Sequence, residues 1–149
     1  MKEQGKVKFI YKGKQVELNY EDVDNRLGRI PVHSSNNIEN ILVIDTDNHK
    51  QMIFVNKKLL EDMDSLSIDS MIMHVLTRMV HTEDKTGILA DILVSNWFGY
   101  SRMINLVKAF EPNKDKQIKR VERIERAVVA DLGTKLPEKE EIINRFNFI

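Results

Sequence analysis

The chain has 149 residues and a mass of 17.4 kDa, the length of one ordinary domain, with too little apolar surface to supply several separate cores. Its composition, 42% hydrophobic and 31% charged with three prolines and six glycines, excludes disordered and collagen-like classes. The 23 basic and 23 acidic side chains cancel, so no global field draws the chain to nucleic acid or an anionic membrane, and the lack of cysteine removes disulfides, thiolate metal sites and cysteine nucleophiles together.

The first ten residues carry Lys2, Glu3, Lys6 and Lys8 and lack the apolar centre of a signal peptide. No run reaches the roughly 18 apolar residues of a spanning helix. The expected location is the cytoplasm, or a particle assembled there, with no membrane partner. Val7 to Tyr20 alternates apolar and polar around Lys12-Gly13, which predicts a β-hairpin. Glu21 to Asn40 is polar, contains Gly28 and Pro31 and reads as loop with room for one short helical turn. Ile41 to Asp45 and Met52 to Val55 are β-rich runs flanking a turn at Asp47-Asn48, so a sheet of three or four strands is expected.

Beyond Val55 the apolar period lengthens to helical spacing. Ser67 is the expected N-cap of a helix reaching about His81, with Ile68, Met71, Ile72, Val75 and Met79 as its apolar face. Further helices are predicted over about Thr86 to Phe98, ending at Gly99; from Ser101 to before Pro112; over about Lys114 to Leu132, ending at Gly133; and from Glu138 to Phe146 after Pro137. Strands first and helices afterwards predict one α+β domain over residues 1–149, an N-terminal antiparallel or mixed sheet with a helical bundle on one face.

Several groups invite a chemical reading. His74, Thr77, Arg78 and His81 stack along one face of the first long helix. The two histidines are seven residues apart, about 10 Å along the axis, too far to share one ion. His33 beside Ser34 and Ser35 lacks the glycine-framed elbow of a serine hydrolase. His49 with Asp45 and Asp47 is accounted for by a turn. The helix from Lys114 is rich in cations, but Asp115, Glu122 and Glu125 are interleaved and Glu122 is spaced to pair with Arg126, the pattern of a solvated face and not of a nucleic-acid reader. The terminal Phe146-Asn147-Phe148-Ile149 either docks on its own domain or serves a partner.

The order of these parts resembles a family. A strand with its terminal asparagine (Met52 to Asn56), a helix with Leu59 and Leu60, and a helix centred on His74 are similar to the core of HExxH zinc metallopeptidases of the gluzincin type. Leu89-Ala90-Asp91 followed by Trp97-Phe98-Gly99-Tyr100 resembles that family's Glu-Ala-Asp segment and the Leu-Gly-Tyr that closes its helix. Glu111-Pro112 and Gln117-Ile118-Lys119-Arg120-Val121 are similar to its His-Pro and Arg-Ile-x-x-Leu segments. The likeness runs from about Ile41 to Ile124 and implies a zincin-like core.

Carried over position by position, the resemblance implies a degenerate site. His74 matches the first histidine, but the general-base glutamate falls on Val75, the second histidine on Arg78 and the third ligand on Leu89, leaving only His74 and Asp91. Valine accepts no proton and arginine ligates no zinc. No metal, cofactor or catalytic residue is therefore expected. Arg78 is expected to pair with Asp91 in place of the ion. The implied role is binding or assembly, with a protein partner or an oligomer; Thr77, His81, Phe146 and Phe148 are the candidate contacts. Two alternatives stand beside it: a hydrolase with an atypical site around His74, His81, Glu83 and Asp91, and an accessory subunit of a larger particle.

Overall fold

The computed structural model describes residues 4–24, 30–45, 50–129 and 136–148. They form two compact units, one of residues 1–68 with 146–149 and one of residues 69–145. The expected turn at Asp47-Asn48, His49, Gly28 and the helix end at Leu132 and Gly133 lie outside the described residues.

The first unit is a mixed five-stranded sheet. The hairpin pairs β1 (Gln4–Tyr11) with β2 (Lys14–Asp22), placing Val7 opposite Leu18 and Phe9 opposite Val16. Lys12 and Gly13 both take positive φ, 51° and 79°, the two-residue turn whose twist matches that of the flanking strands. The order is β1-β2-β3-β5-β4, with β3 (His33–Ser35), β4 (Ile41–Asp45) and β5 (Gln51–Asn56); only β3 and β5 are parallel. The expectation of a loop over Glu21 to Asn40 is corrected here, since β3 is central to the sheet. Three residues of His-Ser-Ser carry no alternation. Pairing on both sides makes the strand, not intrinsic propensity.

Leu18, Ile44, Met52 and Phe54 form the buried centre of this unit, with Val7, Phe9, Tyr20 and Leu42 packed against it. Residues of both edge strands, β1 and β4, border one groove of about 570 Å³, so the sheet is strongly coiled. Asn56 caps α1 (Lys57–Asp62) by accepting from the Lys58 N–H at 2.8 Å.

α2 (Ser65–Val80) begins earlier than expected. Asp64 supplies the cap instead of Ser67, its Oδ1 accepting from the Ser67 N–H at 2.7 Å, because a carboxylate one turn ahead satisfies the same orphan donors. The second unit continues with α3 (Ile88–Phe98), α4 (Tyr100–Phe110), α5 (Lys114–Val129) and α6 (Lys139–Ile143). Its core includes Ile72, Met73, Leu76, Leu93, Val94, Met103, Val107, Ile124 and Ile142.

The buried face of α2 is rotated from the expected one. Val75 is half-buried and Met79 is 42% exposed, whereas Met73, Leu76 and Thr77 are buried. Thr77 tolerates burial because its hydroxyl donates to the Met73 carbonyl at 2.7 Å. The last helix stops at Ile143, short of Phe146. Its approach is fastened to α3, where the Trp97 indole N–H donates to the Pro137 carbonyl at 3.2 Å.

Candidate functional site

The polar cluster of the second unit is built on Asp91, in the first turn of α3 and fully buried. Asp84 positions the start of that helix, its Oδ2 accepting from the Leu89 N–H at 2.8 Å. From α2, His74 Nε2 lies 2.7 Å from Asp91 Oδ1. From α5, Arg120 grips the same carboxylate side-on, donating from Nη2 to Oδ1 at 2.7 Å and from Nε to Oδ2 at 3.1 Å. Arg123, one turn further, has Nη2 3.8 Å from Oδ2.

Burial alone would push the Asp91 carboxyl up, but the hydrogen bonds from His74 and Arg120 and their charges outweigh it and hold the group below the usual carboxylate range. An ionised carboxylate only accepts, so the proton between His74 and Asp91 sits on Nε2. Arg120 Nη2 lies 3.2 Å from that nitrogen. With Nε2 already protonated, the two donors converge on one oxygen and do not bond each other. Three helices are thus tied through one buried anion, a high-cost arrangement unless every lone pair is used.

The expected pairing of Arg78 with Asp91 is corrected. Arg78 is exposed, donates to the Lys85 carbonyl at 3.3 Å and covers Gly87; Arg120 takes the place assigned to it. The four-residue stripe on α2 is likewise divided, with Thr77 in the core and His81 beside Glu83 at 2.9 Å. The Glu83 carboxyl is held below its usual range, first by a backbone hydrogen bond and then by His81. Val75 and Leu89 are half-buried. Among the described residues the expected Glu122–Arg126 pair does not form, and Glu125 instead accepts from the Tyr100 hydroxyl at 2.7 Å.

Phe146 and Phe148 belong to the first unit. Their rings stack at 5.3 Å, and the Gln51 N–H donates to the Asn147 carbonyl at 2.8 Å, so both are attached to their own sheet. His33 is a packed ring there, 5.2 Å from Tyr20 and 5.7 Å from Phe54, with Nδ1 on Asp22. Ser35 donates to the Asn19 carbonyl at 2.7 Å.

The side chains present do not fit a zinc ion of the resembled kind. His74 Nε2 is spent on Asp91 with a guanidinium alongside, and among the described residues no three histidine or acidic side chains converge in a metal-binding group. Arg120 and Arg123 belong to the helix whose cations the sequence places on a solvated face, yet both reach the buried Asp91 carboxylate. Their one sequence signal is a three-residue spacing on a helix face; their acidic partner is 29 residues from Arg120. Searches against protein-family models, curated proteins and solved structures match nothing to this chain.

Proposed function

We propose that the chain is a non-catalytic, metallopeptidase-like protein with a binding or assembly role. The observation that supports this reading is the Asp91 cluster. The aspartate, the single histidine retained from the resembled motif and an arginine neutralise one another where the resembled enzymes would hold a dication. A charged guanidinium beside His74 Nε2 opposes metal entry by Coulomb repulsion, and that nitrogen, protonated and donating to Asp91, offers a metal no lone pair. Val75 offers no group to activate water.

The reading carries the zincin-like core as part of the proposal, with a protein partner or further copies of this chain as its occupant. The test combines metal analysis of protein purified without chelators with peptide hydrolysis by the wild type and His74→Ala. The expected result is zinc far below one per chain and no turnover that depends on His74. Stoichiometric zinc lost in His74→Ala, or turnover abolished by it, overturns the reading in favour of a hydrolase.

A further inference from the structure

Lys116, Lys119, Arg120, Arg123 and Arg126 line a groove of about 450 Å³ on α5, where the carboxylates are Glu111 and Glu122. Lys116, Arg120, Arg123 and Arg126 follow one another at intervals of four, three and three, with Lys119 next to Arg120, which stacks them along one helix face over about 15 Å. Like charges at that spacing destabilise a helix. Asp91 offsets the inner pair, Arg120 and Arg123, whereas Lys116, Lys119 and Arg126 form no ion pair with any described residue.

The two inner arginines are held differently from the outer three. Arg120 uses Nε and Nη2 on Asp91, which orients its plane and leaves Nη1 free to donate. Arg123 is surplus to the Asp91 tie. Its closest approach to that carboxylate is 3.8 Å, it reaches the Thr86 carbonyl at 3.4 Å, and its Nε is buried with no hydrogen-bond partner among the described residues. A link between helices needs one guanidinium; here a second is set beside it with its donors largely uncommitted. Orphaned donors of this kind ask for an acceptor.

We propose that this face of α5 is an anion site that takes a dianionic phosphate group, with Arg120 and Arg123 as the recognising pair and Asp91 as the residue that positions Arg120. Five cations against Glu111, Glu122 and Asp91 leave two positive charges, the charge a phosphate monoester neutralises. Paired guanidiniums match its oxygens in geometry as well as sign. The groove has the size of a site for one small ligand or one modified side chain. A nucleic-acid strand fits less well, because Glu111 and Glu122 interrupt the stripe and the neutral chain supplies no steering field.

The inference goes beyond the binding reading above and is separable from it. Zinc or peptidase turnover would end that reading and leave the phosphate result untouched. The experiment titrates the full chain with inorganic phosphate, following the arginine Nε–H signals by NMR, with chloride at matched ionic strength as control. Saturable shifts at Arg120 and Arg123, a rise in melting temperature with phosphate, and no such response to chloride are expected. Arg123→Gln is expected to weaken binding by about tenfold, the loss of one charge-assisted hydrogen bond, with melting in the absence of phosphate unchanged or higher. Glycerol phosphate and a phosphoserine peptide separate the sources: competition by both at the same signals supports the site, and tighter binding of the peptide assigns the phosphate to a partner protein. Absence of saturation by about 10 mM phosphate, which would put any affinity below a useful range, overturns the proposal. So does an equal response to chloride, unaltered binding in Arg123→Gln, or a short oligonucleotide that binds more tightly than every monoester.

Discussion

Asp91 is the residue on which most of the second unit's polar chemistry depends. Replacing it with asparagine keeps the shape but removes Arg120's counterion and one of the two acceptor oxygens that His74 and Arg120 share. Breaking a buried ion pair by removing one partner costs about 3 kcal/mol or more, and Arg120 retains some exposure, so the lower end is expected for Asp91→Asn, read as a fall in the denaturation midpoint in urea. The pH dependence of that loss has a definite sign. The folded carboxyl lies below its ordinary value, so the native state binds fewer protons than the unfolded chain between the two values. The stabilisation is present above the unfolded value and is lost as pH falls through the folded one. The gap between wild type and Asp91→Asn should therefore close on acidification below the ordinary carboxylate range. A gap that stays constant would mean that the carboxylate's charge contributes nothing.

At the scale of elements, legibility tracked how local the determining contacts are. The hairpin was readable because Lys12-Gly13 and the alternation on each side specify turn and register within fourteen residues. The long helices were readable from period and punctuation, Gly99 and Pro112 above all. What escaped was made by distant partners. β3 is a strand because β2 and β5 flank it, and the Arg120–Asp91 tie joins residues whose helices meet only in the folded unit. The α2 face departs from its sequence pattern because Thr77 is polar yet satisfies its hydroxyl on its own helix. The α3–α4 junction offers a direct test of the readable part. Gly99 closes α3 and opens α4 at φ 102° and ψ 144°, backbone that is strained for any residue with a Cβ. An added Cβ meets no atom within 4 Å, so Gly99→Ala isolates conformational strain from collision. A loss of about 1–3 kcal/mol is expected in chemical denaturation, and a neutral result would show that the two helices can be joined by ordinary backbone.

For the molecule as a whole, the chain returns at its end to the unit in which it began. Residues 146–149 group with residues 1–68, after the helices of residues 69–145 have intervened. The return is held by specific contacts. Gln51 donates from its backbone to the Asn147 carbonyl at 2.8 Å, its side-chain oxygen accepts from the Asn147 N–H at 2.6 Å, and Phe148 bridges to Gln51 in parallel. Phe146 and Phe148 stack over one another and are half-buried. Termini lacking such contacts fray at almost no cost in free energy. If this tail belongs to the sheet, ending the chain at Arg145 frees the Gln51 amide and removes two backbone-directed hydrogen bonds together with an aromatic pair. Each bond contributes about 1 kcal/mol net, and the stacked rings about as much again, so the truncated chain should exchange the Gln51 amide hydrogen by about tenfold or more faster. The amides of Ile53 and Phe54, which pair with β3 and β4 in the middle of the sheet, should keep most of their protection. Hydrogen exchange followed residue by residue distinguishes this from a tail held out for a partner. In that case the intact chain would already exchange Gln51 rapidly, and truncation would leave every sheet amide unchanged.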